Sequence, residues 1–238
     1  MRKILITNDD GITADGIIRL AQAAKRFGAV WVVAPDGQRS AMSHRITLRE
    51  PIDVYPADFP VEGVKAYRTT GTPADCVRFG LLNLVEGSAD VVLSGINYGY
   101  NIGSDIQYSA TVGAALEAAH VGVQAIALSE GMGPHPVTDR YLEAMLEEYL
   151  DRPTPGNVIR NINFPECSME EFRGILTDRR VAVNSFFVDS YPAEALPDGG
   201  MRLRVHGDLQ TESEEGTDFR AVSEHYISIG TVQNLKEA

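Results

Sequence analysis

The sequence predicts an α/β protein with a doubly wound, mostly parallel sheet and an antiparallel β-hairpin arm towards its C-terminal end. Two observations predict this fold. Short, almost wholly apolar segments alternate with segments of helical periodicity over the first two thirds of the chain, which is typical of consecutive βαβ units. After Phe164-Pro165 the alternation gives way to strand-like segments separated by proline and glycine, which indicates antiparallel strands.

The individual elements can be predicted in chain order from apolar spacing and cap residues. Residues 14–27 place apolar side chains at helical spacing and end in Lys25 and Arg26, followed by Gly28, as a helix C-terminus commonly does. Thr72-Pro73 predicts the start of another helix. Parallel strands are predicted at residues 3–7, 29–34, 89–94, 124–129 and 157–163, and helices at residues 14–27, 72–86, 109–121 and 137–150.

Shorter extended segments lie outside this alternation. Residues 46–54 and 64–70 have prolines and glycines between them, which predicts a hairpin or an excursion from the sheet. Towards the end of the chain we predict strands at residues 175–183 and 201–206, a short helix at 218–224 and a final strand at 226–232.

The domain organisation follows from this change of pattern. Residues 1–165 are predicted to form the α/β core, and residues 166–238 an arm and hairpin. Such an arm buries little surface by itself. Exchange of the arm between subunits would bury it, so we predict a homo-oligomer, either a dimer or a tetramer. A hairpin folded back on its own domain is the alternative.

Composition narrows the class of function. A net charge of -12 disfavours binding of long nucleic acid, which needs a basic surface. The apolar runs are only of strand length, so no membrane contact is expected. No secretory signal is visible, and Cys76 and Cys167 do not have zinc-ligand spacing. These features predict a reduced, cytoplasmic protein.

Polar side chains follow three of the predicted parallel strands. Asp9 and Asp10 come directly after the first strand, Ser40 lies in the loop after the second, and Asn97 lies in a loop after a later one. Adjacent carboxylates repel each other unless a cation lies between them or one has a raised pKa. Because oxygen donors favour Mg²⁺, Mn²⁺ or Ca²⁺, the four residues predict a divalent-metal site. A polar turn with a helix cap is the alternative.

A phosphate site is predicted next to these residues. Gly95, Gly99 and Gly103 punctuate a segment that is more typical of a loop with exposed amides than of a helix. Ser109 follows at a predicted helix start, where free N–H groups and the helix dipole bind phosphate. Simple capping by Ser109 is the alternative. The chain has neither a Gly-x-Gly-x-x-Gly motif after its first strand nor a Walker lysine, which disfavours dinucleotide binding and P-loop hydrolysis.

Five separate blocks of sequence, in order over the first half of the chain, resemble the SurE survival-protein family. They are Ile6-Thr7-Asn8-Asp9-Asp10-Gly11, Ala34-Pro35 with Gln38-Arg39-Ser40, Gly71-Thr72-Pro73-Ala74-Asp75-Cys76-Val77, Ser94-Gly95-Ile96-Asn97 with Gly99, Asn101 and Gly103, and Tyr108-Ser109 with Thr111-Val112.

The resemblance implies a Rossmann-like core, an exchanged C-terminal arm and a 5′/3′-nucleotidase. Such an enzyme is a phosphomonoesterase of acid-phosphatase type that releases phosphate from nucleoside monophosphates and sometimes acts on short polyphosphate. One divalent cation per subunit is implied, Mg²⁺ or Mn²⁺, with Ca²⁺ as a substitute in crystals. By motif, the metal ligands would be Asp9, Asp10, Ser40 and Asn97, the catalytic residues Asp9 and Asp10, and the phosphate-binding residues Asn101, Ser109 and Thr111.

Our mechanistic hypothesis is that the metal polarises a phosphate oxygen and activates a water molecule, while Asp9 or Asp10 orients or deprotonates that water. There are two competing hypotheses. One is an enzyme that forms a covalent phospho-aspartate, and the other is a nucleotide-binding or sensing module without turnover. His44 lies close to Ser40 in sequence and could assist proton transfer, although a structural hydrogen bond is an equal alternative.

Two positions depart from the family pattern. Ala110 stands where the family usually has glycine between the serine and threonine of the phosphate loop, so a positive φ there would strain or reshape the loop. Near the end of the chain, His225 and Gly230-Thr231 replace the more usual glycine and threonine-proline.

Overall fold

The computed structural model describes residues 1–233 and 235, and over this range the main feature is a nine-stranded sheet. The strands of the chain are β1 (Arg2–Thr7), β2 (Gly28–Pro35), β3 (Val54–Pro56), β4 (Lys65–Thr69), β5 (Val91–Tyr98), β6 (Gln124–Glu130), β7 (Val158–Phe164), β8 (Gly174–Arg179), β9 (Phe187–Ser190), β10 (Ala193–Ala195), β11 (Met201–Leu203), β12 (His206–Leu209) and β13 (Tyr226–Gln233). The helices are α1 (Asp15–Ala24), α2 (Pro73–Phe79), α3 (Ala110–His120), α4 (Pro136–Tyr149) and α5 (Asp218–Ser223).

The topology of the sheet confirms the doubly wound, mostly parallel prediction. Its strand order is β3-β4-β2-β1-β5-β6-β7-β13-β8. The central strand β1 is parallel to β2 and β5, and the parallel pairing continues to β4 on one side and β7 on the other. Only β3 against β4 and β13 against β7 pair antiparallel in this sheet of the described chain. The carboxyl ends of β1, β2 and β5 therefore lie at one edge.

The sheet is buried on both faces, which explains the continuous apolar runs of its strands. Helices α1 and α4 pack on one face through side chains such as Ile17 and Leu142. Helices α2 and α3 pack on the other face through side chains such as Val77 and Ala115. Along the described part of the chain, no helix combines the length and apolarity needed to cross a membrane.

Helix α2 begins where the sequence predicts. The hydroxyl of Thr72 accepts a 3.1 Å hydrogen bond from the Asp75 amide, and the Asp75 carboxylate accepts a 3.0 Å bond from the Thr72 amide. This capping box satisfies two amides that the first helical turn leaves without partners. The α-helix ends at Phe79, earlier than predicted, and a single π turn over Gly80–Leu84 follows it.

Residues 166–238 contribute both to the main sheet and to an arm. Strands β8 and β13 join the edge of the sheet beside β7. Strands β9 and β12 pair antiparallel, and β10 and β11 extend the same hairpin. All residues of these four strands are exposed, including Val188, Met201 and Leu203. The antiparallel hairpin is confirmed for β9–β12. The strand predicted as antiparallel at residues 175–183 is instead β8, which pairs parallel with β13 in the main sheet because β13 lies between β7 and β8. Exchange of the arm between subunits stays a prediction.

Candidate metal and phosphate site

The carboxyl edge of the sheet brings the predicted site residues into one region. Asp9 lies just after β1, Ser40 lies in the loop after β2, and Asn97 is the next-to-last residue of β5. These three residues line a single cavity of about 330 Å³. Ligands of open parallel sheets bind at this edge, so the location fits the prediction made from the sequence.

Asp9 is the most deeply buried residue of the group, with only 4% of its surface exposed. Its Oδ1 atom accepts a 2.6 Å hydrogen bond from the hydroxyl of Thr111. Burial raises the pKa of Asp9 to about 6; the Thr111 hydrogen bond opposes this increase, and the charge of Asp10 adds to it. The site therefore disfavours a second negative charge unless a cation is present.

Asp10 lies beside Asp9 but faces a neighbouring cavity of about 480 Å³. Its Oδ2 atom accepts a 3.1 Å hydrogen bond from the backbone amide of Tyr98, at the end of β5. Burial raises the pKa of Asp10 as well, and the hydrogen bond from Tyr98 lowers it. The bond to Tyr98 links the segment after β1 to the residue that follows Asn97.

Two backbone hydrogen bonds and one close backbone contact hold the loop that carries Ser40. The Arg39 amide donates to the Asp9 carbonyl at 2.6 Å, and the Ser43 amide donates to the Tyr108 carbonyl at 3.0 Å. A Cβ atom on Gly113 of α3 would lie 2.5 Å from the Ser43 carbonyl oxygen, so the loop approaches α3 this closely only because residue 113 is glycine. Ser40 is thereby held between Asp9 and the start of α3.

The donor set fits a hard divalent cation. Within residues 1–233 and 235, the side-chain hydrogen bonds of these residues involve Oδ1 of Asp9, Oδ2 of Asp10 and Nδ2 of Asn97. The other oxygen of each carboxylate and the amide oxygen of Asn97 accept no hydrogen bond from another residue in this range. In the same range, neither aspartate forms a salt bridge with a lysine or arginine. The described chain has no group of three or more His, Cys, Asp and Glu side chains suited to a metal. A cation would depend on two carboxylates, an amide, a hydroxyl and water.

The predicted phosphate residues Asn101 and Ser109 line the same cavity as Asp9. Ser109 caps α3, and its hydroxyl oxygen accepts a 3.0 Å bond from the Val112 amide. The amides of Ala110 and Thr111 lie at the start of this helix, where helical geometry supplies no partner. An anion near Ser109 would meet both these amides and the positive end of the helix dipole.

The backbone of Asn101 is hydrogen-bonded to two side chains of β7. Its backbone amide donates to Oδ1 of Asn163 at 2.8 Å, and its carbonyl accepts bonds from Asn161 and Asn163 at 2.9 and 3.1 Å. Its own side-chain amide donates to Ser129 at 2.8 Å. These bonds fix the position of Asn101 at the cavity wall, with its Oδ1 atom uncommitted within the described residues.

The structure places Thr111 differently from the other two predicted phosphate residues. Thr111 is fully buried, and its hydroxyl points to Asp9. The contact between the Thr111 side chain and phosphate stays a prediction, whereas its hydrogen bond to the carboxylate is a feature of the structure.

An aromatic wall completes the cavity and was not predicted from the sequence. Its apolar side chains come from three distant parts of the chain and are Tyr98, Tyr100, Tyr108, Met132, Phe186, Phe187 and Leu209. The root of the arm is anchored by Asp105, whose Oδ2 atom accepts bonds of 2.9 and 3.1 Å from the Phe186 and Phe187 amides. No local pattern reveals this wall, because only the folded chain brings residues 186–209 to the carboxyl edge.

Comparison with known proteins decides the family. Residues 4–184 match the family model described as "Survival protein SurE". The chain belongs to the SurE family. The proteins named 5′-nucleotidase SurE from Clostridium botulinum (strain Langeland) and Mesorhizobium japonicum are 39% and 36% identical to it over 231 and 242 residues. These alignments cover 95% and 97% of this chain, and 90% and 93% of the relatives.

A solved SurE structure confirms the fold. The crystal structure of the SurE protein from Aquifex aeolicus superposes with a TM-score of 0.81 at 32% identity, covering 97% of this chain and 93% of that one. The resemblance to the SurE family that the sequence motifs predicted is therefore confirmed, together with the α/β fold class.

The two departures from the SurE pattern have different structural outcomes. Ala110 is the first residue of α3 and is not among the non-glycine residues with positive φ, so alanine is accommodated there without backbone strain. His225 follows α5 with a φ of +65°, a conformation that favours glycine. The departure at Ala110 is neutral for the backbone, and the one at His225 is strained.

His44 is engaged in a structural contact. Its Nε2 atom lies 2.7 Å from Oε2 of Glu117, whose other oxygen accepts a 3.0 Å bond from Arg78. Glu117 is buried two turns along α3 from Ser109. His44 therefore pairs with a carboxylate remote from the helix start at which the candidate site lies.

Proposed function

We propose that this chain is a divalent-metal-dependent phosphomonoesterase that hydrolyses nucleoside 5′- and 3′-monophosphates to nucleoside and phosphate. The observation that carries the proposal is the shared cavity, in which Asp9, Ser40 and Asn97 face Asn101 and Ser109. The SurE relatives named 5′-nucleotidase support the same reaction class. Short-chain polyphosphate would be a further substrate, because its end presents the same phosphate group.

One divalent cation per subunit, Mg²⁺ or Mn²⁺, would be held by oxygens of Asp9, Asp10, Ser40 and Asn97. When bound, the cation would supply positive charge to the phosphate and acidify a water molecule. The uncommitted oxygens of the two carboxylates and of the Asn97 amide support this assignment. Burial raises the pKa of Asp9, and the charge of Asp10 adds to this increase; a bound cation would offset both effects.

Within the cavity, each residue has a distinct task. Asp9, which lines the cavity, would use its free Oδ2 atom both as a ligand of the cation and to orient the attacking water, while Thr111 fixes the carboxylate by its bond to Oδ1. Asp10 faces the adjoining cavity and would act as a metal ligand. The Ser109 hydroxyl, the Asn101 side chain and the first amides of α3 bind the phosphate oxygens, where they would stabilise charge that grows in the transition state.

The aromatic wall provides the nucleoside site. Tyr100, Tyr108 and Phe187 line the cavity beyond the phosphate residues, and apolar, aromatic surfaces bind the faces of nucleobases. A volume of about 330 Å³ falls in the usual range for small-ligand pockets. We place the base against this wall and the phosphate at Ser109.

The exposed arm supports assembly into a homodimer or homotetramer. Met201 is 67% exposed, and Val188 and Leu203 are about half exposed, although all three lie in paired strands. Exposed apolar surface of this kind is typical of subunit contacts. A second copy of the chain is therefore our proposed partner for the arm.

Phosphate release from AMP and GMP, as 5′ and 3′ isomers, tests the proposal with Mg²⁺, Mn²⁺ or EDTA present. We expect turnover with metal, none with EDTA, and a loss of at least about a hundredfold in Asp9→Asn. Asp58→Asn, on an exposed loop, is the matched control and should keep full activity. Tight nucleotide binding without phosphate release would favour the sensing module, and a trapped acyl phosphate would favour covalent catalysis.

A further inference from the structure

A second cavity lies at the opposite edge of the sheet from the candidate active site. It has a volume of about 560 Å³. Arg160, the third residue of β7, lines it near the amino end of that strand, whereas the active-site cavity lies at the carboxyl edge of the parallel strands. The two cavities share no lining residue.

The charge of this second cavity is opposite to that of the protein as a whole. The chain has a net charge of -12, but the cavity has four arginines against two carboxylates. These charged residues are Arg152, Arg160, Arg179, Arg180, Glu148 and Asp178. A local excess of positive charge in an acidic protein attracts small anions and concentrates them there.

Two of the four arginines form no salt bridge within the described residues. Arg152 pairs with Glu148 at 2.8 Å, and Arg180 pairs with Glu214 at 2.6 Å. In the part of the chain that the structure describes, Arg160 and Arg179 form no salt bridge with a carboxylate. The Nε atom of Arg160 is also buried without a hydrogen-bond partner in this range.

The surrounding structure holds both guanidinium groups in place. Arg160 lies 4.2 Å from the centroid of the Tyr149 ring and donates a 3.2 Å hydrogen bond to the Arg152 carbonyl. Arg179 donates from Nε to the Thr177 carbonyl at 2.8 Å. Gly230 of β13 pairs with Arg179 across a bulge, and a Cβ atom on Gly230 would collide with the Arg179 carbonyl oxygen. The glycine is therefore what lets the bulge place Arg179 at the cavity.

We propose that this cavity is a binding site for a small anion with two or more phosphate groups. Planar guanidinium groups bind phosphate oxygens in pairs. Within the described residues, Nη1 of Arg160 and both Nη atoms of Arg179 donate no hydrogen bond. The volume exceeds the need of a single phosphate. Tyr149 already has Arg160 and, at 6.0 Å, Arg152 over its ring, so no aromatic surface is left for a base. This favours an oligophosphate over a nucleotide.

Burial supports the same assignment. It lowers the pKa of Arg160, because a half-buried guanidinium loses hydration of its charge. A bound phosphate would restore favourable interactions to this group. The site would be independent of the catalytic metal, since Asp9 and Asp10 lie at the other edge of the sheet.

Calorimetric titration of the full chain with inorganic pyrophosphate in EDTA tests the proposal, with ADP as a second arm. We expect pyrophosphate to bind the wild type, and the Arg160→Gln/Arg179→Gln variant to bind at least about tenfold more weakly. Arg49→Gln, an exposed arginine elsewhere, should bind like the wild type. ADP should bind no more tightly than pyrophosphate, and tighter ADP binding would overturn the preference for an oligophosphate.

Thermal melting checks that the double variant is folded. If it is not, Arg179→Gln alone carries the test, with an expected loss of several-fold. The proposal is overturned if wild-type protein does not bind pyrophosphate, or if Ser109→Ala rather than the arginine variant abolishes binding. A change of oligomeric state in the arginine variant with pyrophosphate binding intact would also overturn it, because the arginines would then serve a subunit contact.

Discussion

The hydroxyl of Thr111 donates a 2.6 Å hydrogen bond to Oδ1 of Asp9, joining the first turn of α3 to the segment that follows β1. Both side chains are buried. The bond leaves Oδ2 of Asp9 as the oxygen that can serve a cation or a water molecule. Thr111 is thus a positioning residue for the carboxylate on which the proposed reaction depends.

Replacing Thr111 by valine should lower phosphate release from AMP by roughly tenfold or more, because partners that orient a metal ligand typically matter to this degree. The change keeps the shape of the side chain but removes the bond to Asp9. The free energy of unfolding should fall by about 1–3 kcal/mol, since a buried acceptor loses its partner. Thr111→Ser keeps a hydroxyl and should retain most activity. Full activity in the valine variant would contradict this role.

Metal binding should stabilise the folded protein. At a Mn²⁺ concentration a hundred times Kd, linkage predicts about 2.7 kcal/mol of stabilisation, or roughly 5–10 °C in Tm for a protein of this size. Asp10→Asn should lose most of this increase because one ligand charge is removed. Differential scanning calorimetry with and without Mn²⁺ measures it. Asp58→Asn should respond like the wild type, and an equal response in Asp10→Asn would argue against the assigned ligand.

His225→Gly should stabilise the protein. His225 adopts a φ of +65° just after α5, and its amide donates a 3.0 Å bond to the Val222 carbonyl. A left-handed residue costs about 1–2 kcal/mol when it is not glycine, offset in part by the greater freedom of glycine in the unfolded chain. We expect a net gain of about 0.5–1 kcal/mol in urea unfolding. His225→Ala retains the strain and should give no gain.

The arm should control assembly. Sedimentation equilibrium of the wild type should show a dimer or tetramer, and Met201→Glu/Leu203→Glu should weaken association by about a hundredfold because charge replaces exposed apolar contacts. Arg204→Glu, an exposed polar position next to Leu203, is the control for charge alone and should have a smaller effect. A wild type that is monomeric at every concentration would contradict the proposed exchange of arms.

The sequence was sufficient for the core because each core element carries a local signal. The apolar run that becomes β1 has residues Ile4 to Ile6 fully buried, and Thr72 forms the cap that its sequence context predicts. Because the carboxyl ends of parallel strands meet at one edge of a sheet, the sequence alone predicts that Asp9, Ser40 and Asn97 lie together. These inferences need only the period of the pattern and the polarity of a parallel sheet.

Other features could not be predicted because they depend on contacts between distant residues. Strands β9 and β10 were missed because all their residues are exposed, so no alternation of buried and exposed side chains marks them. Strand β5 continues to Tyr98 past its glycine, where the sequence predicts a loop. The direction of the Thr111 side chain and the presence of Phe187 in the cavity depend on how α3 and the arm pack.

Phe186 and Phe187, held by Asp105, belong both to the root of the arm and to the aromatic wall of the candidate site. In the proposed oligomer, subunit association and nucleotide binding would therefore be thermodynamically linked. Any free energy by which a partner subunit reshapes that wall appears, with equal size, as an effect of nucleotide on the association of subunits. The apparent affinity for substrate would then depend on the protein concentration, and substrate binding would shift the equilibrium between subunits and oligomer.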